Sequence, residues 1–221
     1  MTKQEKTAGL IAGISLLIMA IAAGFSYGFV QNELLAESAE ITKRNILENI
    51  NLFFAGLAGW VIIFITDLMV SVALYVFFKN TSKWISIITA IVRAVYTIFL
   101  GVAIFQLFSI IPALSSDINA SEFINSFFSF EQIWSIGLII FGIHLLGLAY
   151  LSLKSKTVPR FLGYLLYFGG AAYTLLSGAK QISTIPLEVV NHAEVLLSLP
   201  MALSEIFLSF WLIYKGLKRK D

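Results

Sequence analysis

The sequence predicts an all-α integral membrane bundle of six transmembrane helices, with the N-terminus and the C-terminus both cytoplasmic. Three observations carry this. First, of 221 residues 58% are apolar and only 13% charged, about half the charged share of a soluble domain. A soluble protein of this size cannot cover so much apolar surface with so few charges. Second, six stretches reach the roughly 20 apolar residues that a bilayer core requires. Third, Lys and Arg are divided unevenly between the connections.

The spans fall at residues 8–30, 52–78, 84–111, 131–153, 160–180 and 193–214. Lys3 and Lys6 precede the first, but its apolar run is too long for a signal-peptide core, so it reads as a retained span. The second and third exceed the required length, which implies tilt or extension past the membrane. Pro200 lies inside the sixth and removes the amide that would bond the Leu196 carbonyl, so a kink is expected there. The apolar runs are continuous rather than alternating, which argues against strands. No linker or internal repeat divides the chain, so residues 1–221 read as one domain.

Lys3, Lys6, Lys79, Lys83, Lys154, Lys156, Arg160, Lys215, Lys218, Arg219 and Lys220 fall on one side, against Lys43, Arg44 and Lys180 on the other. That bias puts both termini in the cytoplasm. Glu33, Glu37, Glu40, Glu48, Asp117, Glu122, Glu131, Glu188 and Glu194 make the outer side acidic. The basic tail is suited to anionic lipid headgroups. Four basic residues do not make a nucleic-acid site, and none is expected.

The outer connection of residues 31–51 is helical in character. Leu34, Leu35 and Ile41 are placed on the membrane surface, and Asn45 with Glu48 fits a capping box before the second span. In residues 112–130, Phe123, Phe127 and Phe130, flanked by Ile124 and Phe128, predict an interfacial helix lying on the outer leaflet, or a lid over a cavity. Gly9 and Gly13, then Ala20, Gly24 and Gly28, form a small-residue face for close helix contact, within the bundle or in a homodimer seam.

Asp67, Arg93, His144 and Glu205 lie within the spans, where ionisable groups are costly and face the interior. Counted along each span, all four sit roughly 13–17 Å from the inner edge, near the midplane. One layer implies one polar cluster. Trp60, Ile63 and Ser71 share a helix face with Asp67. Ser86, Thr89 and Thr97 share one with Arg93, with Tyr96 alongside, and Ser198, Ala202 and Ser209 share one with Glu205. Gly137 and Gly147 flank His144, and Gly163, Tyr167, Gly170, Thr174 and Ser177 add a stripe from the fifth span.

One Arg cannot neutralise two carboxylates. An acid is protonated, or His144 is cationic, or a bound cation supplies the difference. The cluster reads as a register-fixing network, a proton or cation relay, a pocket for a small molecule or lipid, or a catalytic centre; the whole chain reads as a non-enzymatic module binding a small hydrophobic ligand, lipid or partner protein, or else as a small transporter or channel. Catalytic signatures are missing: there is no H-E-x-x-H and no G-x-S-x-G. Cysteine is absent, and His144 and His192 are the only histidines, so no metal or cofactor is assigned. His192 is placed at the outer surface.

Several segments resemble an uncharacterised membrane family catalogued as domain of unknown function 4386. They are KTAGLIAGISLLI from Lys6, DLMVSVALYVFFK from Asp67, FGIHLLGLAYLSLKSKTVPRFLGYLLYFGGAAYTLLS from Phe141 and LPMALSEIFLSFWLIYKG from Leu199. The resemblance covers nearly the whole chain and places Asp67, Arg93, His144, Pro159, Arg160 and Glu205 on family-type positions. The chain departs from the pattern at Phe54, where an Arg often stands, and at Leu176, where an Asp often stands; these departures weaken any outer-side polar site. The resemblance implies a multi-pass protein of a bacterial or archaeal cell membrane and brings no established activity.

Overall fold

A computed structural model describes residues 1–114, 120–182 and 184–218. Asp117, Arg219 and Lys220, used above in the charge division, lie outside the described residues. Among those described the fold is all-α. Helix α1 (Lys3–Ala23) runs into a π-helical segment (Gly24–Gln31) and a short α2 (Asn32–Leu34); α3 (Ala39–Glu48) precedes α4 (Ile50–Phe78). Then follow α5 (Lys83–Phe108), a short α6 (Ile110–Ala113), α7 (Ala120–Lys154), α8 (Arg160–Lys180) and α9 (Leu187–Leu217).

Local chemistry sets several boundaries. Thr2 and Glu5 form a reciprocal capping box that starts α1. Ser38 accepts from the Ile41 amide and starts α3. Pro159 and Pro186 stand just ahead of α8 and α9, where a missing amide costs nothing. Helix α9 continues unbroken through Pro200.

The long helices close into a ring. Each touches two neighbours in the order α1, α4, α5, α7, α8, α9 and back to α1. Close approach is made possible by glycine. A Cβ on Gly142 would lie 2.7 Å from the Gly170 carbonyl oxygen and the Thr174 nitrogen, so α7 and α8 meet backbone to backbone. Gly13 does the same for α1 and α9, where a Cβ would lie 2.7 Å from the Ser209 carbonyl oxygen. The Gly9–Gly13 motif therefore works inside the bundle, against Phe77, Ser209 and Leu212.

The outward faces are apolar: Ile21, Val72, Ile98, Phe105 and Leu175 are all exposed. Five helical stretches, Lys3–Leu34, Ile50–Phe78, Lys83–Pro112, Ala120–Lys154 and Leu187–Leu217, are long and apolar enough to cross a membrane. Helix α8, rich in Gly and Tyr, is not among them. An apolar girdle of this extent identifies a membrane protein.

The termini meet at one end of the ring. Lys6 Nζ donates to the Lys218 carbonyl at 2.6 Å, Lys79 Nζ to Gln4 at 2.9 Å and Asn80 to Glu5 at 2.8 Å. The distal end is held by Gln31 Nε2 donating to Glu131 at 2.7 Å and by the Lys180–Glu194 ion pair at 2.5 Å.

Two expectations for the connections are corrected. Asn45 and Glu48 lie inside α3, and Asn49 at the start of α4 makes no side-chain cap, so the capping box is absent. The stretch expected as a surface helix is instead the first part of α7. Phe123, Phe127 and Phe130 are buried there, because α3 and α4 supply a protein surface for that face. The Phe130 ring sits 4.7 Å from Trp60, and Lys43 lies over Phe123. Leu34, placed at the membrane surface, is likewise buried, whereas Ile41 and Phe128 are exposed.

Candidate functional site

The ring converges on Arg93. Its helix face puts Ser86, Thr89, Arg93 and Thr97 inward, and two serines clamp α5 to α4: Ser71 Oγ donates to the Ala90 carbonyl at 2.8 Å and Ser86 Oγ to the Tyr75 carbonyl at 3.0 Å. This clamp brings Asp67 and Arg93 face to face, both fully buried.

All the guanidinium nitrogens are engaged. Nε donates to Asp67 Oδ1 at 2.7 Å, and the Nη2 group lies 2.5 Å from the same oxygen. Nη1 donates to Glu205 Oε1 at 2.9 Å and to His144 Nε2 at 3.0 Å. Nη2 also faces Met19 Sδ at 3.6 Å, and the Phe141 ring covers the cation at 5.4 Å. Helices α1, α4, α7 and α9 thus all send a side chain to one charge on α5.

The partners are fixed in turn. Asp67 Oδ2 accepts from Thr97 Oγ1 at 2.5 Å, so both its oxygens are occupied. Arg93 offers only donors, so His144 Nε2 accepts; its Nδ1 then carries the proton to the Thr89 carbonyl at 2.9 Å. That is a neutral imidazole. Of the three ways to balance the cluster, a cationic His144 is removed by this geometry. Two carboxylates still face one guanidinium. Glu205 is the member with a free edge: Oε2 accepts no hydrogen bond among the described residues, and the side chain is 13% exposed.

Tyr96 is buried, but its hydroxyl accepts from Trp134 Nε1 at 3.3 Å and its ring packs on Phe141, so it borders the ionic network without joining it. Tyr167 is 56% exposed and points away from the cluster. The inward face of α8 runs through Leu162, Leu166, Gly169, Gly170 and Ser177, about 100° from the tyrosine. Tyr173 takes the inner place, with its ring 5.1 Å from Phe141. On α9, Ala202 and Ser198 are exposed, while Met201, Ser204 and Leu208 face the bundle. Met19 and Phe141 were missed by charge-based reading. Phe141 precedes His144 by three residues, which was the available signal. His192 is exposed at the distal end, with its Nδ1 2.7 Å from the Glu188 carbonyl. No group of three or more His, Asp or Glu able to hold a metal occurs among the described residues.

A ring of six long helices, five of them long and apolar enough to cross a membrane, around a buried Arg–carboxylate–imidazole centre defines a multi-pass membrane protein with a charged core. The chain belongs to the family described as Domain of unknown function (DUF4386), whose model matches residues 11–216. It is also similar to an uncharacterized protein of the archaeon Archaeoglobus fulgidus, 28% identical over 166 residues, covering 75% of this chain and 86% of the relative. No solved structure matches it.

Proposed function

We propose that the protein is a six-span, single-domain membrane module, with α8 as the remaining span and both termini cytoplasmic, that binds a small hydrophobic ligand or lipid through its midplane cluster. In this reading no catalytic chemistry is assigned. Arg93 organises the site, Asp67 and His144 hold it in one orientation, and Glu205 presents the recognition edge. The observation that carries the reading is the unequal treatment of the two carboxylates. Asp67 is saturated with donors, whereas Glu205 keeps one oxygen unpartnered and partly accessible. A network serving only helix register has no use for an unpaired carboxylate oxygen at the membrane midplane, where such groups are costly.

The topology reading rests on the basic termini and the Lys79 loop sharing one end of the ring, and places the basic tail against anionic headgroups. The cell membrane of a bacterium or archaeon is the proposed location. The test is mass spectrometry of compounds co-purified with the intact protein, wild type against Glu205→Gln. A species present in the wild type and depleted in the variant supports the reading; identical profiles without any bound species count against it.

A second reading, a small transporter or channel using Asp67, Arg93, His144 and Glu205 as a proton or cation site, is favoured by the charge imbalance. It requires thermal stability that rises with a particular cation or proton concentration, as linkage demands.

A further inference from the structure

Helices α1 and α9 are neighbours for only half their length. At the end carrying the termini they touch tightly: a Cβ on Gly13 would meet Ser209 and Ile213, and one on Gly216 would meet Leu10 at 2.8 Å. The same face of α1 continues through Leu17 and Ala20 to Gly24 and Gly28, given the helical repeat. Both of these glycines are exposed and have no atom within 4 Å of a built Cβ. The facing stripe of α9 continues from the buried Ser209 to Ala202, Ser198 and Val195, and these three are exposed, the last at 75%. Meanwhile α9 stays on α8 through Gly169 against Ser204 and through the Lys180–Glu194 pair. The two helices therefore diverge from an apex at Gly13–Ser209. They leave a lateral cleft in the half of the bundle distal to the termini. Glu205 lies one turn above that apex on the same face, with its unpartnered oxygen.

We infer that this cleft admits a lipophilic ammonium compound from the membrane, with its apolar body between α1 and α9 and its cation on Glu205 Oε2. This rests on the ligand-binding reading of the cluster and names its ligand class and access route. Charge complementarity selects the class. The floor has one carboxylate in excess of its guanidinium, His144 is neutral, and an ammonium supplies both the missing charge and a donor. The walls select for an apolar body, because Ala20, Gly24, Gly28, Ala202 and Ser198 offer space but almost no polarity. A phospholipid amine does not fit, since Glu205 lies about 13 Å along the helix from Tyr214, in the bilayer interior, whereas headgroup amines sit at the surface.

The test uses the full chain in nanodiscs and three probes of one shape: 1-adamantanamine, 1-adamantanol and 1-adamantanecarboxylate. Binding is read by tryptophan fluorescence and by thermal shift. The amine is expected to bind about ten-fold more tightly than the alcohol, the worth of one charge-assisted contact. The carboxylate is expected not to bind. Glu205→Gln should remove the preference for amine over alcohol. Gly24→Leu combined with Ala202→Phe, which leaves the polar cluster untouched, should weaken amine and alcohol alike without lowering the melting temperature of the free protein. Equal binding of amine and alcohol, or amine binding unchanged by filling the cleft, overturns the inference. So does a second copy of the chain in the cleft, seen as a dimer that the filling pair converts to monomer with no effect on amine binding. A co-purified neutral lipid lost in Glu205→Gln, with no amine preference, would refute this inference while leaving the ligand-binding reading standing.

Discussion

Replacing Arg93 with leucine removes the one cation that five helices share. Its five N–H groups face Asp67, Glu205, His144 and Met19, and among the described residues none of these pairs with another cation. Asp67 is the partner most affected, being fully buried with only the Thr97 hydroxyl left to serve it. Breaking a buried pair by removing one partner costs about 3–5 kcal/mol. Arg93→Leu should therefore destabilise by that order, unless the acid takes a proton and recovers part of it. Asp67→Asn in the wild-type background loses charge-assisted hydrogen bonds and should cost about 1–3 kcal/mol. In the Arg93→Leu background the same change removes a stranded charge, so its sign should reverse and stability should rise. The measurement is a double-mutant cycle by reversible unfolding in mixed micelles, where contacting residues show coupling of about 0.5–3 kcal/mol. Strict additivity would refute the dominance of the Asp67–Arg93 pair, and a harmless Arg93→Leu would refute the charged-core account altogether.

Three further comparisons have expected outcomes. Gly142→Ala forces a Cβ against the backbone of α8 and should cost about 1–3 kcal/mol. Gly24→Ala, which meets open space, should be neutral or stabilise by up to about 1 kcal/mol on the helix-propensity scale; thermal unfolding compares the pair. Phe130→Ala should cost about 3–5 kcal/mol, since the ring is fully buried against Trp60, whereas Phe128→Ala, on the exposed side, should stay within about 0.5 kcal/mol. Equal small effects would restore the surface-helix expectation for this segment. In a bacterial host, reporters at Lys79 and at the C-terminus should be active only in the cytoplasm, and one at Asn119, which lies outside the described residues, only in the periplasm. A C-terminal reporter active in the periplasm would sink the topology.

Composition and continuous apolar runs made the helical bundle legible, because lipid leaves few other ways to satisfy a backbone. The meeting of Asp67, Arg93, His144 and Glu205 was legible from depth alone, since a straight helix converts residue number into height. Rotation was harder. Tyr167 was assigned inward along with Gly163, Gly170 and Ser177, which are indeed buried, but the tyrosine itself falls on the exposed side of that face. That face is set by backbone contacts of Gly169 and Gly170 with α9 and α7 that no periodicity reveals. The Phe123–Phe130 face looked amphipathic from sequence, but only the tertiary neighbours decide whether such a face meets lipid or protein. The opening between α1 and α9 was not legible at all. Gly13 and Gly24 are the same residue type on the same face, and only the divergence of two axes separates them.

Ring closure also sets an order of events during synthesis. The hairpin of α4 and α5 is complete once residue 108 has left the ribosome, so Asp67 can accompany Arg93 into the membrane and spare it insertion as a lone cation. His144 arrives next with α7. Glu205 comes last, on the helix that joins the first to complete the circle. Until then a half-built chain holds a cation that lacks its second carboxylate, along with the uncovered Gly13 flank of α1, which meets Ser209 and Ile213 of α9. Closing the ring with α9 therefore supplies the second carboxylate and covers the glycine in one step.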